Sequence, residues 1–222
     1  LRITASGVVL RGVSRDKTRL VKHGVDRGAL LYIEGANGSK RDVTTIAQDT
    51  LFITADCIPA GSKAIVPFTT PSLPHHSSFT PQARIDIVRP CTREWIESLG
   101  MEDFGGDLDY TGWKPTDIEL RWDRTIVDVR GDSIVLDAPI TTAITSQYGG
   151  TYIVMGSHEG EISECGVENL TLESAVNDWN PKDEDHCWDA VYMNNVRDGW
   201  VRRVNFRHFA GSAVNLQRQT SR

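Results

Sequence analysis

Short runs in which apolar and polar residues alternate, separated by turn residues, dominate both ends of the chain. Val167-Glu168-Asn169-Leu170-Thr171-Leu172 lines up with Val201-Arg202-Arg203-Val204-Asn205-Phe206, and from Asn169 and Arg203 onward each run alternates with period two, which predicts strands with one buried face. Leu170 and Leu172 point one way and Asn169, Thr171 and Glu173 the other; Val204 and Phe206 likewise oppose Arg203, Asn205 and Arg207. Stacking the two runs in register sets Glu173 beside Arg207 on the outer face.

Self-similarity extends the pattern. Ala190-Val191-Tyr192-Met193 recurs as Ala213-Val214-Asn215-Leu216 about 23 residues later, a period suited to one turn of a β-solenoid. Gly7-Val8-Val9-Leu10-Arg11-Gly12 recurs more loosely as Ala29 to Gly35. The longer offset between the first two strands is accounted for by one polar insertion, Asn177 to His186, whose Pro, Asn and Asp content is that of a surface loop. Solenoid insertions map to loops on one face, often the binding face.

The repeat disappears after a Pro- and Ser-rich connector, residues 71 to 83, which includes His75 and His76. Ile85 to Arg89 then alternates as a strand, and Thr92 to Gly100 reads as a short helix with a Thr cap and a Gly stop. Glu119 to Val129 and Ser133 to Ala138 read as strands joined by a hairpin turn at Arg130-Gly131-Asp132. The expected organisation is therefore solenoid rungs over 1–83, an inserted, mainly β module over 84–149, and rungs again over 150–222. With only a few rungs and no evident cap at Arg222, the expectation from the solenoid pattern is that the chain continues.

Composition narrows the partners. The net charge is −6, from 24 basic and 30 acidic residues, with no Lys/Arg cluster of the kind that marks a nucleic-acid surface. No apolar run reaches the roughly 18 residues of a membrane span. Cys57, Cys91, Cys165 and Cys187 lie far apart with no zinc-knuckle spacing, leaving buried thiols or disulfides as alternatives.

Gly7 to Gly12 followed by Lys17-Thr18-Arg19-Leu20, then Gly166 to Leu172, Trp200 to Phe206 and Gly211-Ser212-Ala213-Val214, together resemble the pectate-lyase-like superfamily of right-handed parallel β-helices. Asp183-Glu184-Asp185-His186-Cys187-Trp188 with His208 to Ala213 looks most like large exported bacterial members of that superfamily. The likeness covers roughly residues 1 to 70 and 150 to 222. It implies an all-β fold, a right-handed parallel β-helix, with a polysaccharide as partner and a secreted, cell-surface or periplasmic location. It does not choose among lyases, glycoside hydrolases, epimerases, tailspikes and adhesins, because function resides in sites and not in folds.

The reactive side chains concentrate in the insertion and its flanking rungs. In a lyase, His186 and Arg203 are the candidates for proton abstraction and for neutralising a substrate carboxylate. In a hydrolase, Asp183 and Asp185 are the candidate carboxylate pair. Trp179, Trp188, Arg207 and His158 are the candidate substrate-binding residues, since aromatic faces beside charged groups hold sugar rings. No metal ligands are assigned and no cofactor is required, although Asp183, Glu184 and Asp185 have the oxygen ligands that Ca²⁺ takes. The competing readings are a solvated acidic loop beside a charge ladder, and a non-catalytic surface fibre, spike or glycan-binding module.

Overall fold

The computed structural model describes residues 1–36, 50–53, 55–66, 78–105, 112–115, 119–156, 158–177, 179–180 and 182–217. Among these the protein is nearly all β, with a helix at Arg93–Ser98 and a 3-10 turn at Ser146–Tyr148. The chain divides into two compact units, one formed by Leu1–Arg41 with His158–Arg222 and one by Asp42–Ser157.

The first unit contains β1 (Arg2–Ile3), β2 (Val9–Arg11), β3 (Arg19–Lys22) and β4 (Leu31–Glu34). It continues with β13 (Ile162–Ser163), β14 (Gly166–Ser174), β15 (Asp189–Asn194), β16 (Val196–Arg197), β17 (Trp200–Arg207) and β18 (Ser212–Leu216). All its described strand pairs are parallel. They form three sheets: β1-β4-β15-β18, β13-β16, and β17-β14 with β2 and β3 side by side along the far edge of β14.

The pairing follows the repeats. Val191 pairs with Val214 and Met193 with Leu216, while Val167 pairs with Val201, Leu172 with Phe206 and Glu173 with Arg207. The loose repeat of Gly7–Gly12 with Ala29–Gly35 is not a stacking relation. Val9 and Leu10 pair with Gly166 and Val167, whereas Leu31 pairs with Val191 in another sheet. The reason is a bend at Gly7, whose φ of 75° turns the chain out of the β1 direction.

Such bends recur in matching places. Glu164 (φ 57°) precedes β14 as Asp198 (φ 52°) precedes β17, and inside those strands Asn169 (φ 59°) and Arg203 (φ 53°) interrupt the ladder at equivalent positions. Each bend redirects the next segment around a common interior. That interior holds Ile3, Leu31, Ile33, Val167, Leu170, Leu172, Val191, Met193 and Val196. Full burial of an aliphatic side chain is worth about 1.5–3 kcal/mol, so these residues carry the fold. Buried Asn195 closes one corner, its Nδ2 donating to the carbonyls of Ala36 (2.8 Å) and Glu159 (3.2 Å).

The second unit is antiparallel. Its strands are β5 (Leu51–Phe52), β6 (Cys57–Ile58), β7 (Ala64–Ile65), β8 (Arg84–Pro90), β9 (Glu119–Arg130), β10 (Ser133–Leu136), β11 (Ile144–Thr145) and β12 (Tyr152–Met155). Six of them form one sheet in the order β5-β12-β8-β9-β10-β7, and β11 pairs with β6. This unit begins earlier and ends later than the 84–149 expected from composition. Leu51 pairs with Ile153, Ile58 with Ile144 and Ile65 with Ile134, so residues around 51–65 bury their aliphatics in this core and not in solenoid rungs. His75 and His76 lie outside the described residues.

Local expectations inside this unit hold. Thr92 caps the helix, its Oγ1 accepting from Trp95 N (3.3 Å), and Gly100 at φ 64° follows the helix end. β9 and β10 form a hairpin around Gly131-Asp132, with Gly131 at φ 57°.

Candidate functional site

The outer face of β2, β3, β14 and β17 carries two Arg–Glu–Arg sets. Glu168 on β14 accepts from Arg11 Nε on β2 (2.7 Å) and from Arg202 Nε on β17. One bend further along β14, Glu173 accepts from Arg19 Nη2 on β3, and its Oε2 lies 3.9 Å from Arg207 Nη1 on β17. Between the sets, Thr171 donates to the Arg15 carbonyl (2.7 Å) and accepts from Asn205 Nδ2 (3.4 Å).

Parallel pairing produces this arrangement. Strands about 4.8 Å apart bring side chains at matched positions into contact, so a carboxylate on the middle strand meets an arginine on each side. The carboxylates lie underneath, with side chains 0% and 11% exposed, while the arginines are 54% to 64% exposed. Glu168 is thus shielded from water by its partners, and hydrogen bonds from Arg202 and then Arg11 hold its pKa below the ordinary glutamate value. Each set keeps one positive charge in excess, and exposed Arg203 sits on the bend between them.

The loop before β15 is a separate cluster. His186 is buried, with Nδ1 at 3.9 Å from Asp183 Oδ2, beyond hydrogen-bond range, and without a hydrogen-bond partner. Asp185 accepts from Arg27 (2.6 Å), whose guanidinium lies 5.3 Å from the Trp188 ring centroid. Trp188 donates from Nε1 to the Glu184 carbonyl (2.9 Å). Asp183 Oδ1 is engaged as the acceptor of Asp185 N (3.1 Å), a local turn bond. Trp179 projects into solvent at 96% exposure.

The sequence candidates therefore fall in three places. His186, Asp183, Asp185 and Trp188 share the loop. Arg203 and Arg207 lie on β17, with no hydrogen bond or ion pair from Arg203 to the loop among the described residues. His158 lies at the opposite end of β15 from the loop, with Nδ1 3.4 Å from Glu161, which also pairs with Arg197 (3.2 Å). The carboxylates of Asp183, Glu184 and Asp185 do not gather into a three-ligand group among the described residues. The cysteines are unpaired, with Cys91, Cys165 and Cys187 buried and Cys57 exposed.

Arg11, Arg19, Arg202 and Glu168 were absent from the sequence candidates. Extending the alignment that pairs Glu173 with Arg207 by five residues finds Glu168 with Arg202. No local signal finds Arg11 or Arg19, which reach β14 from more than 150 positions away in the chain.

No protein-family model matches the chain, and no curated protein matches it. Among solved structures it is similar to the tailspike gp61 of Pseudomonas phage phi297, at 12% identity and a TM-score of 0.36, covering 90% of this chain and 28% of that one. It is also similar to the tailspike gp49 of Pseudomonas phage LKA1, at 12% identity and a TM-score of 0.34, covering 97% and 36%. A third is the Gp54 tailspike of Acinetobacter baumannii bacteriophage AP22, in complex with A. baumannii capsular saccharide, at 9% identity and a TM-score of 0.30, covering 96% and 30%. The chain spans about a third of the length of these proteins. No helix among the described residues is long and apolar enough to cross a membrane.

Proposed function

We propose that the first unit is a stretch of right-handed parallel β-helix that holds an acidic polysaccharide across its rungs, outside the cell or at its surface. The observation that carries this reading is the pair of Arg–Glu–Arg sets, with their arginines exposed and their carboxylates beneath. In a chain of net charge −6 this face concentrates positive charge. Two rows of guanidiniums in strand register suit carboxylates repeated along a glycan, because the planar fork of arginine pairs with carboxylates in bidentate fashion.

The face is a flat ladder, and every carboxylate on it is already paired with arginine. A ladder of this kind supports binding over bond cleavage, so the non-catalytic glycan-binding module is the favoured reading. Lyase or hydrolase chemistry at His186, Asp183, Asp185 and Arg203 is its rival. Calcium at the acidic loop is supported by charge alone.

The test uses the full chain with polygalacturonate, alginate and neutral dextran, following retention, unsaturated-uronate absorbance and new reducing ends together. The expected result is retention of the two polyuronates, weakened by salt and by Arg202→Gln with Arg207→Gln, and no products. Equal retention of dextran, or no retention at low salt, would overturn the reading. Products that vanish with His186→Ala would replace it with catalysis.

A further inference from the structure

Along β8 the core-facing positions are Ile85, Ile87 and Arg89, with exposures of 0%, 0% and 3%. An arginine thus stands where the pattern calls for a third aliphatic. On the other face of the sheet Arg84 pairs with Asp123 (2.6 Å), and Arg121 with Asp86 (3.0 Å) and Glu119 (2.7 Å), whereas on the face of Arg89 itself, Arg124 donates to the carbonyls of Ala138, Asp123 and Pro139. Among the described residues Arg89 has no carboxylate partner. Its one hydrogen bond runs from Nη1 to the Ala143 carbonyl (3.1 Å). Burial disfavours its charged form and pulls its pKa down, yet a guanidinium stays charged at any physiological pH.

Aromatic rings from three further segments gather there. The Arg89 guanidinium lies 4.9 Å from the Trp95 ring centroid, on the helix, and 5.6 Å from that of Tyr148, in the 3-10 turn. Trp113 stacks on Trp95 at 6.2 Å and 17°. All three rings are half-buried, so each keeps part of its surface toward solvent.

We propose that Arg89, Trp95, Trp113 and Tyr148 form a binding site for a carboxylate-bearing sugar, distinct from the arginine rows of the first unit. The guanidinium carbon lies over the Trp95 and Tyr148 rings, and apart from the Nη1 bond to Ala143 the side-chain N–H groups of Arg89 meet no acceptor among the described residues; such in-plane donors are the ones through which arginine binds a planar carboxylate. The indole surfaces beside it offer the apolar wall that a sugar ring packs against. An incoming carboxylate supplies the counter-charge that the described residues do not. The site depends on neither the fold assignment nor the glycan reading of the first unit.

The test is tryptophan fluorescence of the full chain titrated with galacturonate, and in parallel with glucose and acetate. Galacturonate is expected to give a saturable change, with glucose and acetate at least about tenfold weaker. The change should disappear in Arg89→Met, which keeps an apolar stem in the core, and persist in Arg202→Gln with Arg207→Gln. Tyr148→Leu provides a second variant with the core position intact, and weaker galacturonate binding is expected there also. No saturable change, a change that survives Arg89→Met, or an equal response to acetate would each overturn the assignment.

Discussion

Arg203 occupies on β17 the position that Asn169 occupies on β14, and neither takes part in the ladder that joins their neighbours. Both hold positive φ, 53° and 59°, and pairing resumes at Leu170 and Val204. Asn tolerates the left-handed region; a long side chain with a Cβ does so at a cost of about 1–2 kcal/mol. Arg203→Gly is therefore expected to leave stability unchanged or raise it by up to about 1 kcal/mol, and Asn169→Val to lower it by about 1–3 kcal/mol. Urea denaturation of the two variants checks both signs.

Gly166 is expected to refuse even a methyl group. A Cβ built there would overlap the indole of Trp200, its partner on β17. Gly166→Ala should cost about 1–3 kcal/mol by overpacking. Adding Trp200→Leu should recover part of the loss, a non-additivity that a double-mutant cycle measures directly.

Acid should loosen the first unit through Glu168. Its pKa is depressed in the folded state, so the folded form favours the carboxylate and its contribution is fully present above the ordinary glutamate range. The contribution is lost as pH falls through the lowered folded value. Wild type should be more stable than Glu168→Gln at neutral pH, and the gap should close as pH falls below the ordinary glutamate range and through the lowered folded value. A gap that stays constant with pH would count against the paired carboxylate.

Core and surface should separate sharply. Leu31, with no exposed surface, is expected to lose about 2–5 kcal/mol on replacement by Ala. Val13, at 82% exposure, should change by less than about 0.5 kcal/mol. Chemical denaturation of the two variants is sufficient.

The parallel ladder of Val167 to Leu172 against Val201 to Phe206 was legible because the two runs match in residue type position by position, which fixes their register; the bends at Asn169 and Arg203, which break the alternation and turn Val167 into the same interior as Leu170, were not. The second unit was legible in its local parts, the Thr92 cap and the Gly131 turn, because capping and hairpin chemistry act over a few residues. Its extent was not. Strands of two residues such as Leu51–Phe52 carry no period, and only their partners at β12 show where they belong. The loop residues Asp183, Asp185 and Trp188 were found by composition, but Arg27, which engages Asp185 and Trp188, lies between β3 and β4, more than 150 positions away in the chain.

The amide of Asn195 binds two carbonyls of the first unit that lie on either side of the second unit in the chain, those of Ala36 and Glu159. Two chain ends held by one side chain act as neighbours, whatever the length of polypeptide between them. The intervening segment is in that sense a cassette, an insertion whose contents the parallel sheets of the first unit do not depend on. Replacing residues 42–157 by a short Gly-Ser linker should leave the first unit folded and its arginine rows in place, with far-UV circular dichroism and polyuronate retention as the measures. Varied cassettes on one constant scaffold would let such a protein change what it recognises at one site while keeping its grip at another.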